Sequence, residues 1–232
     1  AARAAHFGFR PDLPARPMAL GADAMVTSAH KTLPAWSQAA IILANTERID
    51  ASRLDAAVEA TATTSPAGAI LASIDASRAL LARDGEALLG TAIAATRAAR
   101  DHLRQVPGLT VVDGPHVDPA KLILVLSGTG ADGNAIEQDL LLAGMPVESA
   151  DRDVLIAIVS LADTVEGVTR LADAIAASVE RHRSAPRPVV GAASYSVDPV
   201  TVMPPRQAFF SAATPVPVED AVGRVSAELI AP

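Results

Sequence analysis

The chain has 232 residues, half of them hydrophobic and 19% charged, which is ample for a buried core. Its formal charge of −7, with no basic run, argues against a nucleic-acid surface, and no apolar stretch reaches the ~20 residues that a membrane helix needs. The absence of cysteine excludes disulfides, thiolate nucleophiles and Cys-based zinc sites, and fits a reducing cytoplasm.

No secretory leader opens the chain, and its first residue is not Met, so it reads as a fragment cut at both ends. Gly8, Pro11, Pro14 and Pro17 break any regular element and predict a loop over residues 8–20. Two apolar runs, 24–26 and 39–43, predict buried strands joined by a connection that carries Lys31. Asp50 can cap a helix whose Leu54, Ala57 and Val58 share a face. A turn over 61–66 leads to a second helix marked by Ile70, Leu71, Ile74, Leu80 and Leu81. A third runs from Leu88 to Leu103 and ends at Pro107-Gly108. Beyond it lie strands at 109–112, 121–126, Val147 and 154–159, interleaved with helices at 134–142 and 165–181, which is an α/β layer pattern. From 184 to 217 prolines recur too densely for a helix or a central strand, and an amphipathic helix is expected around 219–229.

The chemistry centres on Ser28-Ala29-His30-Lys31. A lysine amine forms a Schiff base with an aldehyde cofactor, although a lone loop lysine is ordinarily only solvated. Gly128-Thr129-Gly130-Ala131-Asp132-Gly133 follows a strand, opens a helix and has Glu148 downstream, as a dinucleotide fingerprint would. Too few strands and helices remain for a Rossmann half, so a glycine turn that lets helix and strand pack closely is the better reading. His6, His30, His102, His116 and His182 are too scattered to define a metal site, and no metal is expected. His102 and His182 fall on helix faces with arginines nearby and read as surface residues. The 151–153 turn is either a solvated bend or a place where Arg152 meets a substrate carboxylate. Trp36 reads as a packing residue of a cofactor-pocket wall.

Ser28-x-His30-Lys31, followed by Gln38 and an apolar strand of small residues, resembles the cofactor-lysine motif of the bacterial ornithine/lysine/arginine decarboxylases. The opening 1–9, with His6-Phe7, is similar to the family's segment in which Asp-x-Ala precedes a His-Phe pair. Its aspartate would stand just before Ala1. Thr63-Thr64-Ser65-Pro66 is similar to the family's Thr/Ser-Ser-Pro stretch, and 221–232 looks like the run into its Tyr-Pro-Pro-Gly motif.

The resemblance implies an α/β chain of fold type I, built like the aspartate aminotransferases. Residues 1–106 would be the remainder of the large pyridoxal-phosphate domain with a connecting helix, 107–183 the small C-terminal α/β domain, and 184–232 a Pro-rich linker or arm with a truncated C-terminal helix. The implied reaction is decarboxylation of arginine, lysine or ornithine, with pyridoxal 5′-phosphate held by Lys31. His30 would act with Lys31 and lie against the cofactor, Ser28 would face its phosphate and Ala2 one face of its ring. Thr63 and Ser65 would reach a phosphate in a neighbouring subunit of a homodimer or larger homo-oligomer, and Glu228 is a candidate contact to the amino-acid substrate. The fragment alone is expected to be inactive. The alternatives are an aminotransferase or other lyase on the same fold, an NAD-binding dehydrogenase domain, and a non-catalytic binding protein.

Overall fold

The computed structural model describes residues 5–188 and 200–225. The chain forms two compact units, 1–189 and 190–232, so the expected 106/107 boundary falls inside the first.

In the first unit, β1 (Ala24–Ser28) and β2 (Ala40–Ala44) pair antiparallel, with Ala24 opposite Ala44 and Ser28 opposite Ala40. Met25 and Thr27 turn inward on β1, while Val26, Ile42 and Leu43 are exposed, so these strands are half-covered rather than buried. A single helical turn, α1 (Ala29–Thr32), lies between them. Helix α2 (Ala51–Thr61) is capped as expected, the Asp50 carboxylate accepting hydrogen bonds from the amides of Ser52 (2.9 Å) and Arg53 (3.2 Å). It has no buried residue, and its Leu54 and Val58 face stays uncovered or half-covered.

The second and third expected helices are one. Helix α3 (Gly68–Leu103) has 36 residues, about 54 Å at 1.5 Å per residue. Asp84-Gly85-Glu86 looks like a break in sequence, yet nothing there forbids helical φ/ψ, and Gly85 falls on the inward stripe Ser77, Leu81, Gly85, Leu89 and Ile93. A Cβ at Gly85 would come within 3.2 Å of Leu81, which explains a small residue there. Leu13, from the proline-rich entry loop, packs on this stripe with Leu81, Leu89 and Ile93.

The C-terminal half of α3 crosses a second sheet of order β3-β4-β6-β5, every pair antiparallel. Its strands are β3 (Thr110–Val111), β4 (Lys121–Val125), β5 (Ser149–Ala150) and β6 (Val154–Ile158). Alternation sends Leu122, Leu124, Leu155 and Ala157 to one face, under α3, α4 (Gly133–Leu142) and α5 (Val165–Arg181). Each of the fully buried leucines contributes about 1.5–3 kcal/mol. The short strand expected at Val147 forms at Ser149–Ala150, and the one expected over 109–112 has only two paired residues, because pairing rather than apolarity sets strand limits.

The antiparallel sheet excludes a Rossmann half, and the glycine turn is filled by protein. A Cβ at Gly128 would stand 2.4 Å from the Gly108 carbonyl oxygen, and one at Gly133 would stand 2.1 Å from that of Asp151. Residues 184–187, expected to open the arm, are stitched onto the same turn: the Ser184 amide donates to the Thr129 carbonyl (3.2 Å) and the Arg187 amide to that of Ser127 (2.8 Å).

The second unit, described over 200–225, contains α6 (Pro205–Phe210) and a 3-10 turn at Val218–Asp220. A helix inside the proline-rich stretch was not expected, but Pro204 and Pro205 stand at its start, where no amide is needed. The helix expected over 219–229 is absent from its described part, which continues from the 3-10 turn into turns through 225, and 226–232 lie outside the described residues.

Candidate active site

Lys31 is delivered by the α1 turn, whose Ala29 and Thr32 are buried while Lys31 is exposed. The turn is held by one acceptor. The Ala39 carbonyl, just before β2, takes hydrogen bonds from the amides of Ala29 (2.9 Å) and His30 (3.4 Å) and from His30 Nδ1 (2.9 Å). A carbonyl only accepts, so Nδ1 carries the hydrogen and Nε2 of the neutral ring keeps its lone pair. Ser28 occupies the N-cap position of α1 but makes no capping bond, which leaves its hydroxyl for another partner.

The connection is tied down further along. The Trp36 amide donates to Ser73 Oγ on α3 at 3.0 Å, and Gln38, with φ of 75°, is the only non-glycine residue in the left-handed region among the described residues. Such a conformation costs about 1–2 kcal/mol and persists only where surrounding bonds over-determine it. Here the Ala39 bonds do so.

The chain has two lysines. Lys121 Nζ is paired with Asp118 Oδ2 at 3.1 Å and is mostly buried, whereas the Lys31 amine has no partner among the described residues. A free amine, an unbonded hydroxyl and an imidazole of fixed tautomer on one turn form a donor set that fits an aldehyde bearing a phosphate.

The other expected positions are not gathered here. Thr63 and Ser65 lie on the exposed loop between α2 and α3, where the Ser65 amide donates to Thr63 Oγ1 (3.2 Å), and no bond joins them to the Lys31 turn. Ala2 and Glu228 lie outside the described residues. Trp36 is 64% exposed, at the surface of the described residues. Arg152 is exposed and bonded to Asp153 (2.7 and 3.0 Å), as a solvated bend. His102 pairs with Asp173 and His182 with Asp139; the first is exposed at the surface, the second half-buried.

A cavity of about 350 Å³ lies instead between α3 and the loop before β4, lined by Arg97, Arg100, Arg104, Asp12 and Asp113 among others. Its charges answer one another: Arg100 Nη1 meets Asp113 at 2.7 Å and Arg104 Nη2 meets it at 2.6 Å. Buried Arg100 also donates to the carbonyls of Lys121 (2.7 Å) and Asp118 (2.9 Å), so this cluster ties helix to sheet. Burial draws the Arg100 pKa down against the opposing pull of Asp113. Sequence reading missed it, though three arginines at helical spacing on α3 were a signal.

A family model described as Orn/Lys/Arg decarboxylase, major domain, matches residues 1–127. The chain belongs to that family. Pyridoxal 5′-phosphate is the cofactor of these decarboxylases, and the donor set of the Lys31 turn fits it. The chain is 32% identical to an arginine decarboxylase of Halalkalibacterium halodurans over 99% of its own length and 49% of that protein's. It spans about half the length of the curated relatives it matches. Its fold is similar to the constitutive lysine decarboxylase of E. coli, with a TM-score of 0.56 and 19% identity over 68% of this chain and 28% of that one. A solved structure of SPT with PLP gives a TM-score of 0.57 at 19% identity, covering 78% of this chain and 46% of the other. These likenesses support the α/β fold class expected from the sequence.

Proposed function

We propose that this chain is the lysine-bearing part of a pyridoxal-phosphate-dependent decarboxylase that converts arginine, lysine or ornithine to the corresponding amine and CO2. The observation that carries the reading is that, of two lysines, Lys121 is paired with Asp118 while the Lys31 amine has no partner among the described residues, on a turn whose sequence resembles the family's cofactor-lysine motif. When bound, the cofactor supplies an aldehyde for the amine and a protonated ring that takes up the electron pair left as CO2 departs.

The residues of the chain do the rest. Lys31 would hold the cofactor through its amine and would return a proton to the substrate Cα. His30, fixed by its Nδ1 bond to the Ala39 carbonyl, would lie against the cofactor, and Ser28, which makes no capping bond, would offer its hydroxyl to the phosphate. Ala2 admits close approach to the ring face, Thr63 and Ser65 serve the phosphate of a neighbouring subunit in a homodimer or larger homo-oligomer, and Glu228 meets the substrate. In this reading 1–106 is the large-domain remainder, 107–183 the small domain and 184–232 the arm. The lack of cysteine supports a cytoplasmic setting, and no helix among the described residues is long and apolar enough to cross a membrane.

The test is borohydride reduction of the full-length protein loaded with cofactor, followed by peptide mapping and product analysis with each basic amino acid. The reduced cofactor is expected on Lys31, and Lys31→Ala is expected to lose the visible absorption band of the lysine-bound cofactor and several orders of magnitude in turnover. Reduced cofactor on Lys121 would overturn the site. Amino transfer in place of CO2 release would overturn the reaction.

A further inference from the structure

His6 is 3% exposed, 112 positions from its partner in sequence, and takes no part in the chemistry above. Its Nε2 lies 3.1 Å from Asp118 Oδ1, and since a carboxylate only accepts, Nε2 carries the hydrogen. Asp118 is held in turn by the Ala120 amide (3.0 Å) and by Lys121 Nζ (3.1 Å). Burial raises the Asp118 carboxyl, but the His6 bond and its other partners outweigh burial and hold it below the ordinary carboxylate range.

The other ring nitrogen, Nδ1, is buried without a hydrogen-bond partner, and so is Thr32 Oγ1, on the residue next to Lys31. Both residues line one small cavity, with Leu89, Ala92, Val159 and Leu161 as apolar walls and Ser160 beside them. It leaves about 10 Å³ for the centre of a water molecule, which is room for one water and nothing larger. Leaving two buried polar atoms without partners is costly, because each has given up its hydrogen bonds to water. A water removes both costs by donating to the Nδ1 lone pair and accepting the Thr32 hydroxyl.

We propose that one ordered water bridges His6 Nδ1 and Thr32 Oγ1, and that His6, anchored at Asp118, is thereby a positioning residue for the Lys31 turn. The bridge would tie the turn to the loop before β4, so that Lys31 meets its reaction partner from a fixed direction. The positioning role rests on the reading of Lys31 as the cofactor lysine.

The first measurement is a crystal structure of the full-length protein at a resolution that shows waters. Density within hydrogen-bond distance of both atoms is expected, and an empty cavity, or a water bonded to only one of them, overturns the inference whatever Lys31 does. The second is kinetic. His6→Gln keeps an amide within reach of Asp118 and removes Nδ1, while Thr32→Val removes the hydroxyl at nearly constant shape. Each should lower kcat about tenfold with KM changed less than about twofold, as for a slightly misplaced catalytic group. The double variant should be no slower than the slower single one, because both break the same bridge. Thr32→Ser, which restores the hydroxyl, should recover most of the rate. Full activity in both single variants, or additive losses in the double, would overturn the positioning role. If Lys31→Ala itself kept band and turnover, the underlying reading would fail as well, and the density would still report on the water alone.

Discussion

Asp139, on α4, gathers three donors from the end of α5 and its C-cap: Ser178 Oγ at 2.6 Å, His182 Nε2 at 2.8 Å and Arg181 at 3.0 Å. Ser, His and Asp occur together here without forming a relay, since the hydroxyl and the imidazole bind the same carboxylate oxygen. The Ser178 bond first, then that of His182, lowers the Asp139 pKa from 3.8 to about 2. A carboxyl lower in the folded than in the unfolded chain stabilises above the unfolded value and ceases to as pH falls through the folded one. The melting temperature should therefore drop between about pH 4 and 2 more steeply in the unsubstituted protein than in Asp139→Asn, which should melt lower at neutral pH. Melting curves of the two across that range measure the difference, and parallel curves would remove the role. At this scale the sequence was uneven. Ser28, His30 and Lys31 fall within four residues and could be read from the motif, whereas His6 and Asp118 carry no shared signal because only folding brings them together.

At the scale of elements, the glycine turn shows how identical residues divide by environment. Gly130 and Gly144 both have φ of 72°, but a Cβ on Gly130 would stand 2.3 Å from the Ser184 carbonyl oxygen, while one on Gly144 would meet nothing within 4 Å. Gly144→Ala should thus cost about 1 kcal/mol, the conformational term alone. Gly130→Ala adds a backbone collision and should cost about 3 kcal/mol, by urea unfolding of each variant. Equal costs would mean that residues 184–187 do not press on the turn. The elements themselves follow periodicity well: α4, β6 and α5 lie where their apolar spacing puts them, within a residue or so. The merger of two expected helices into α3 was hidden because a polar Asp-Gly-Glu step looks like a boundary, although helix propagation needs only permissive residues.

Across the whole chain, apolar surface is left uncovered around the candidate site. Val26 (58%), Ile42 (45%) and Trp36 (64%) are exposed on the β1–β2 hairpin and its connection. Exposed clusters of this kind mark surfaces that other protein covers. The purified 232-residue chain should accordingly enhance the fluorescence of an apolar dye and self-associate with rising concentration in sedimentation, and Val26→Thr with Ile42→Thr should reduce both. Unchanged dye binding in that double variant would place the sticky surface elsewhere. The sequence by itself determined the family and the order of strands and helices, because these rest on contiguous residues and on local periodicity. Only the tertiary structure decided that the sheet is antiparallel, that the glycine turn is filled by its own chain, and that Lys121 is paired while Lys31 has no partner among the described residues. Each of these depends on which distant groups exclude water from one another, and spacing along the chain does not record that.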